Sequence, residues 1–135
     1  MTLKPTTEVD LRQLAAWIEA DPMHEGTSPL FWLTGNDCLF AARLEDEEGL
    51  VAYTRVDEMP DSYFVHVQFG PEDIVSKKRV ALGLTVGIKI VSDLAKANGK
   101  KKVLTQSENP PLVGFLHKLG FQETPVSNVY QLSLE

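Results

Sequence analysis

The stretch that decides the fold is ENPPLVGFLHKLGF, residues 108–121. Asn109 precedes two prolines, which suit a first helical turn because the amide N–H that proline lacks is unpaired there in any residue. The run from Leu112 to Leu119 predicts a short helix. Gly120 then suits the position after the helix, where the backbone takes a positive φ. The stretch therefore predicts a short helix with a defined start and end.

A second helix is predicted from Ser76 to Asn98. Its many β-branched residues favour a strand, but about 20 residues is far longer than a typical strand. Ser76 suits the N-cap, and Asn98-Gly99 is a good helix stop. The residues that share one apolar face of the helix are Leu84, Ile88, Val91 and Ala95.

A third helix is predicted before Pro22, with Thr7 or Asp10 as its cap and apolar residues at helical spacing from Leu11 to Ile18. Runs that suit strands lie between these helices. They are Thr2–Lys4, Cys38–Arg43, Leu50–Val56, Tyr63–Phe69, Lys102–Gln106 and Val129–Leu134. The polar segment Glu45–Gly49 reads as a hairpin connection.

Composition limits the class of protein. The chain has 135 residues, 43% of them hydrophobic, which predicts a single domain over residues 1–135. A formal net charge of -6 disfavours nucleic acid as a partner. The single cysteine, Cys38, excludes an internal disulfide and a cysteine-based zinc site, so no metal is expected. Without an apolar membrane span or signal core, the expected location is the cytoplasm.

The predicted order is strand, helix, hairpin-connected strands, long helix, strand, short helix and strand, which indicates a mixed α/β or α+β fold. Over essentially the whole chain this order resembles the GNAT superfamily, the acyl-CoA-dependent N-acetyltransferases. The residues that carry most of the resemblance are Asn109, Phe115, Lys118, Leu119, Gly120 and Phe121.

The resemblance implies a mostly antiparallel, twisted sheet flanked by helices, with acetyl-CoA as co-substrate. It also implies a small-molecule or peptide amine as acceptor, no membrane, and a homodimer as an option. Two positions depart from the family pattern. Leu112 stands where Ala is usual, and Leu116 stands where a Tyr usually protonates the departing thiolate. His117 is adjacent but points about 100° away, so we interpret it as a surface imidazole.

The family's pyrophosphate loop, Gln/Arg-x-x-Gly-x-Gly/Ala, has only a degenerate match. One register uses Lys78, Ala81 and Gly83. Counting back from Gly99 instead puts Arg79 first, with leucines at the small positions. Lys77, Lys78 and Arg79 concentrate cations where phosphates would bind, or they solvate an exposed turn.

His66 is the candidate general base, because an imidazole pKa of about 6.5 suits amine deprotonation and His66 alternates with Val65 and Val67. A structural histidine is the alternative. Tyr53 and Tyr63 are candidates for the missing thiolate acid. The resemblance places the oxyanion donor and pantetheine contacts on the main chain at the end of the strand. The expected cofactor contacts are Val67, Gln68, Phe69, Lys78, Arg79, Ala81, Gly83, Asn109 and Phe115.

The acceptor pocket is expected from Trp17, Phe31, Trp32 and the irregular segment 21–29, although such aromatic residues also serve as core. Cys38 has no accompanying catalytic signature and is interpreted as a small apolar residue. Two hypotheses result. The first is an N-acetyltransferase with an altered proton route, and the second is an inactive GNAT-fold ligand-binding or protein-interaction module.

Overall fold

A computed structural model describes residues 1–24, 26–35 and 37–134. Seven strands form one sheet, in the spatial order β1-β2-β3-β4-β5-β7-β6. Within these described ranges, three α-helices and two one-turn 3-10 helices accompany it. The strands are β1 (Thr2–Pro5), β2 (Cys38–Asp46), β3 (Gly49–Glu58), β4 (Ser62–Phe69), β5 (Lys102–Gln106), β6 (Gln122–Glu123) and β7 (Val129–Ser133), and the helices are α1 (Leu11–Glu19), α2 (Lys77–Ala97) and α3 (Pro110–Lys118).

Every strand pair is antiparallel except β4 with β5, which α2 connects as a crossover. The prediction of a mixed, mostly antiparallel sheet flanked by helices is confirmed. All six predicted strands and all three predicted helices are present within a few residues of their predicted bounds. The two-residue β6 and the 3-10 helices Glu8–Asp10 and Pro29–Trp32 were not predicted.

The helix ends follow the predicted chemistry. The Ser76 hydroxyl accepts a hydrogen bond from the N–H of Arg79 at 3.3 Å and caps α2. Gly99 has a φ of +74° just after that helix. At α1, the buried Asp10 carboxylate accepts from the N–H of Thr7 at 3.0 Å. The same carboxylate accepts from Arg43 and Tyr53, so it also ties the start of α1 to β2 and β3.

Two apolar clusters lie on opposite faces of the sheet because side chains alternate along each strand. On one face, Leu14, Trp17 and Ile18 of α1 pack against Val51 and Tyr53 of β3. On the other, the predicted face of α2 packs against β4 and β5. This second cluster contains Val65, Leu84, Ile88, Val91, Ala95, Val103 and Leu116.

The prediction for the β2–β3 connection was wrong in its bounds. Glu45 and Asp46 belong to β2, and Asp46 pairs with Gly49, so the turn itself is only Glu47-Glu48. Gly49 has a φ of +117°, which a residue with a side chain rarely adopts. No helix in the described part of the chain is long and apolar enough to cross a membrane.

Candidate active site

The central strands β4 and β5 separate halfway along β4. Their pairing runs from Ser62↔Lys102 to Val65↔Thr105, whereas β4 stays paired with β3 as far as Phe69. The carbonyl of Val65 faces β5, where it accepts a hydrogen bond from the Thr105 hydroxyl at 2.9 Å. Main-chain groups alternate in direction along a strand, so the N–H and C=O of Val67 also face the β5 side. At that point β5 has diverged, and the main chain of Val67 faces a gap.

A cavity of about 390 Å³ occupies this gap. Its lining comes from both faces of the sheet, because the gap interrupts the sheet itself. One half is lined by Asp21, Met23, His24 and His66. The other half is lined by Leu84 of α2 and by Leu112 and Leu116 of α3, with the β5–α3 segment 105–109 along its side. Two molecules can therefore approach the main chain of Val67 from opposite sides.

His66, the predicted base, lines the cavity and forms an ion-pair chain on the α1 side of the sheet. Its Nε2 lies 3.1 Å from Oδ2 of Asp57, whose Oδ1 accepts from Arg55 at 2.6 Å. The ring stacks on Phe64 with 4.7 Å between centroids, and the edge of Phe31 covers it. Burial lowers the pKa of His66 from its usual 6.5, although the Asp57 carboxylate opposes this shift. The neutral imidazole is therefore favoured near neutral pH.

His24, which the sequence did not single out, joins His66 in the cavity. Its Nδ1 lies 2.6 Å from Oε1 of Gln68, a side chain with no exposed surface. The amide nitrogen of Gln68 donates to Oδ2 of Asp21 at 3.0 Å and to the carbonyl of Phe69 at 2.9 Å. His24 belongs to an irregular segment without a periodic pattern and meets Gln68 across 44 positions. The predicted acceptor segment 21–29 contains His24, although no pattern in it marks this residue, and residue 25 of the segment lies outside the described residues.

The predicted contacts on β4 separate into two groups. Val67 and Phe69 line the cavity directly. The side chain of Gln68 points to the opposite face, where it holds Asp21 and His24. The Gln68 side chain therefore positions neighbouring groups, and the predicted cofactor contact of its main chain stays a prediction.

The predicted pyrophosphate loop is part of a helix. Lys78, Arg79, Ala81 and Gly83 all belong to α2, which starts at Lys77. From Ala81 onward the N–H groups point back to carbonyls of the preceding turn, so they are not free to hold a phosphate. Gly83 is buried instead against the sheet, where an added Cβ would lie 3.1 Å from side-chain atoms of Leu44 and Val51. Its small size allows close helix packing.

The Arg79 guanidinium forms an ion pair with Asp46 at the end of β2. Its Nε and one terminal nitrogen each donate to Asp46 at 2.8 Å, and its side chain is only 15% exposed. This bidentate pairing raises the pKa of Arg79 and lowers the pKa of Asp46. A phosphate would therefore have to compete with Asp46 for the predicted contact with Arg79. Lys77 pairs with Glu72 at 3.2 Å on the surface.

The first N–H groups of α2 have no hydrogen-bond acceptor in a preceding helical turn. The N–H of Arg79 donates to the Ser76 hydroxyl, and the N–H of Val80 donates to the Ser76 carbonyl. The N–H groups of Lys77 and Lys78 precede the first helical acceptor and point out of the helix end. Together with the exposed Lys78 side chain, they are the groups near the β4–α2 loop that suit an anion.

Helix α3 presents Leu112 and Leu116 to the cavity. Leu116 is 2% exposed and has no proton to donate. Asn109 lines the cavity and caps α3, because its Oδ1 accepts from the N–H of Leu112 at 3.2 Å. Phe115 packs at the edge of the α2-side apolar cluster and is absent from the cavity lining. Its predicted cofactor contact therefore stays a prediction.

Neither candidate tyrosine reaches the cavity. The hydroxyl of Tyr53 donates to Asp10 at 2.9 Å in the α1-side cluster, and burial and this carboxylate raise its pKa. Tyr63 is 1% exposed, and its hydroxyl accepts from the Asn98 amide at 2.6 Å near the end of α2. The prediction of either residue as thiolate acid conflicts with this placement, since both hydroxyls are tied down elsewhere.

The remaining aromatic, histidine and cysteine candidates from the sequence lie outside the cavity lining. Trp17 and Trp32 are buried in the α1-side cluster, and Phe31 lies over the Arg55 guanidinium at 4.2 Å. His117 is outside the cavity; its Nδ1 lies 3.0 Å from the Phe121 carbonyl. Burial raises the pKa of the Cys38 thiol, which keeps the thiol protonated.

Comparison with known proteins identifies the fold. No protein-family model and no curated protein sequence matches the chain. Among solved structures, the ribosomal-protein-S18-alanine N-acetyltransferase from Escherichia coli matches with a TM-score of 0.70 at 16% identity, over 99% of this chain and 94% of that one. An aminoglycoside 6'-acetyltransferase type Ii matches with a TM-score of 0.70 at 15% identity, over 100% and 98% of the two chains.

A chimera of the spermidine N-acetyltransferase from Vibrio cholerae also matches, with a TM-score of 0.70 at 16% identity, over 99% of this chain and 97% of that chain. These proteins are N-acetyltransferases of the GNAT fold. The resemblance seen in residues 108–121 is confirmed at the level of the fold. The chain is thus a GNAT-fold protein with a cavity between β4 and β5.

Proposed function

We propose that this protein is an N-acetyltransferase that transfers an acetyl group from acetyl-CoA to a primary amine. The observation that carries the proposal is the cavity at the β4–β5 gap, where a free main-chain segment lies between an apolar half and a half containing two imidazoles. The acyl thioester would bind in the apolar half, and the amine would bind in the half that contains the imidazoles. The structural neighbours, which are named for acetylation of aminoglycosides, spermidine and a ribosomal protein, agree with this assignment.

Acetyl-CoA fits the groups on the apolar side. The pantetheine arm would lie along Val67 and Phe69, with the main-chain carbonyl of Val67 accepting a hydrogen bond from one of its amide N–H groups. The pyrophosphate would meet the N–H groups of Lys77 and Lys78 at the start of α2, together with the Lys78 side chain. Asn109 and Leu116 border the space left for the thioester. Arg79 is left out of this site because Asp46 already binds it.

The reaction then uses groups on both sides of Val67. The amine nitrogen forms a bond to the thioester carbonyl carbon, and the N–H of Val67 donates to the resulting oxyanion. Before the attack, Nδ1 of His66 takes one proton from the ammonium group, since its Nε2 faces Asp57. A second proton leaves the nitrogen to solvent after the C–N bond has formed. The C–S bond breaks as the carbonyl reforms. Because Leu116 cannot donate, the proton that the CoA sulfur gains comes from solvent.

A second function is favoured by two observations. Leu116 is an apolar residue at the position of the usual acid, and the N–H groups of residues 81–83 are used within α2. Both features suit a GNAT-fold module that binds a ligand or a protein without transferring an acetyl group. A homodimer and a cytoplasmic location stay predictions.

The first experiment is calorimetry with acetyl-CoA, followed by an assay of thiol release with spermidine, an aminoglycoside and an N-terminal alanine peptide. We expect micromolar binding and turnover with at least one amine. In a His66→Gln variant, kcat should fall about a hundredfold while acetyl-CoA affinity is unchanged. Binding without turnover would favour the module, and no binding at millimolar acetyl-CoA would overturn the transferase proposal.

A further inference from the structure

The buried amide of Gln68 has only one possible orientation. Its nitrogen donates both hydrogens, one to Oδ2 of Asp21 at 3.0 Å and one to the main-chain carbonyl of Phe69 at 2.9 Å. A carboxylate and a carbonyl can only accept, so the amide cannot be turned over without losing both hydrogen bonds. Oε1 of Gln68 therefore faces His24.

This orientation determines the protonation of the His24 ring. Oε1 of Gln68 is an acceptor and lies 2.6 Å from Nδ1 of His24, so Nδ1 must carry the hydrogen. Oδ2 of Asp21 lies 3.3 Å from the same nitrogen and is also an acceptor. Neutral His24 is consequently the Nδ1–H tautomer, and its Nε2 carries a lone pair. Within residues 1–24, 26–35 and 37–134, no hydrogen-bond partner of Nε2 is found.

The surroundings of the ring indicate what Nε2 would bind. The buried Trp32 packs against the ring in a T-shaped arrangement, with centroids 5.7 Å apart. The cavity lining includes the carboxylates of Asp21 and Glu108, and within the described residues it includes no lysine or arginine. A group that fits next to Nε2 must donate a hydrogen bond and is favoured if it carries positive charge.

We propose that Nε2 of His24 accepts a hydrogen bond from the amine of the acceptor substrate, and that Gln68 and Asp21 are positioning residues that maintain this role. The acceptor class is a primary amine that enters in its ammonium form, gives one proton to His66 to become the nucleophile, and loses a second proton to solvent after the C–N bond forms. The inference rests on the proposed function only in taking this amine as the nucleophile. His66 borders the same half of the cavity and receives the proton of an amine that His24 holds in place.

The tautomer is tested without any substrate. The chain has three histidines, so long-range proton–nitrogen NMR spectra of uniformly labelled protein are assignable with single variants. Above the imidazole pKa range, at about pH 9, His24 should show the Nδ1–H pattern and His66 the Nε2–H pattern. An Nε2–H pattern for His24 would overturn the proposal.

Binding is tested by titration with spermidine, with tetramethylammonium as the matched cation that has no N–H. Spermidine should shift the Nε2 resonance of His24, and tetramethylammonium should not. Equal shifts with both cations, or no shift with spermidine, would contradict a hydrogen bond to Nε2. Because the titration needs no acetyl-CoA, its result stands even if the protein transfers no acetyl group.

Kinetics separate a binding role from a structural one. His24→Asn keeps a donor toward Gln68 but removes the acceptor that faces the cavity, so the KM for the amine should rise about tenfold or more. The KM for acetyl-CoA and the thermal midpoint should stay unchanged. His117→Asn, outside the cavity, is the control and should change neither KM. An unchanged amine KM in His24→Asn would overturn the proposal.

Discussion

Leu116 is the residue whose identity matters most for the rate of the proposed reaction. It lines the apolar half of the cavity and is 2% exposed. Neither candidate tyrosine replaces its missing hydroxyl, because the hydroxyls of Tyr53 and Tyr63 are hydrogen-bonded to Asp10 and Asn98. A thiolate can leave without an acid, but it leaves faster if a proton is delivered to sulfur.

A Leu116→Tyr variant therefore should release CoA faster than a Leu116→Phe variant, by about tenfold or more. The two rings add nearly the same volume, so both should lose about 1–3 kcal/mol of unfolding free energy through overpacking. The difference between the variants isolates the hydroxyl. The measurement is single-turnover thiol release at saturating acetyl-CoA. Equal rates would mean that sulfur protonation does not limit the reaction, or that the hydroxyl does not reach the sulfur.

At the scale of elements, the start of α2 decides which cations can meet a phosphate. The helix begins at Lys77, so the loop-like motif of residues 78–83 is wound into its first turns. Arg79 turns back to the β2–β3 connection and holds Asp46 with two hydrogen bonds of 2.8 Å. Lys78 remains exposed beside the helix end. Two neighbouring cations thus have different surroundings, which their sequence positions do not distinguish.

Lys78→Gln and Arg79→Gln form a matched pair of variants that remove one charge each. Lys78→Gln should weaken acetyl-CoA binding about threefold to tenfold and leave stability unchanged. Arg79→Gln should lower the free energy of unfolding by about 1 kcal/mol at most, since its carboxylate pairing is lost near the surface, with little effect on binding. Calorimetry and urea unfolding measure the two effects. The reverse result would assign the phosphate to Arg79.

At the scale of the whole molecule, the site exists because the sheet opens between its two parallel strands. The β3–β4 ladder continues to Phe69 while the β4–β5 ladder stops at Val65. Side chains from the two faces of the sheet, the face covered by α1 and the face covered by α2, therefore line one cavity. The α1 side contributes the partly buried His66, whose pKa differs between the folded and the unfolded chain because of this burial.

The stability of the protein should therefore depend on pH through His66. Burial lowers its pKa in the folded chain below the usual 6.5. Between these two values the unfolded chain binds more protons than the folded chain, so the free energy of unfolding rises with pH and falls as the pH drops below about 6.5. Urea unfolding at about pH 5 and about pH 8 measures this change.

In His66→Gln the His66 contribution is absent, so the stability difference between the wild-type protein and the variant should shift in favour of the wild type as the pH rises. Other titrating groups are present in both proteins and largely cancel in the comparison. A difference that does not change with pH would mean that folding leaves the His66 proton affinity unaltered.

Local sequence determined the elements of this protein and their ends. The Ser76 cap, the Asn109 cap and the positive φ at Gly99 and Gly120 depend on neighbours within a few positions, and the structure has all of them. The alternation along β4 likewise fixed that Val65 and His66 face opposite ways. These features depend on short-range geometry, which a sequence displays directly.

Only the tertiary structure decided which residues meet. Gln68 reaches His24 across 44 positions, Arg79 reaches Asp46 across 33, and Tyr53 reaches Asp10 across 43. No local pattern paired these residues, and two of the contacts give a predicted site residue, Arg79 or Tyr53, a carboxylate partner outside the cavity. The reason is physical: the direction of a charged or hydrogen-bonding side chain is set by the partner that folding brings near, and that partner is distant in the chain.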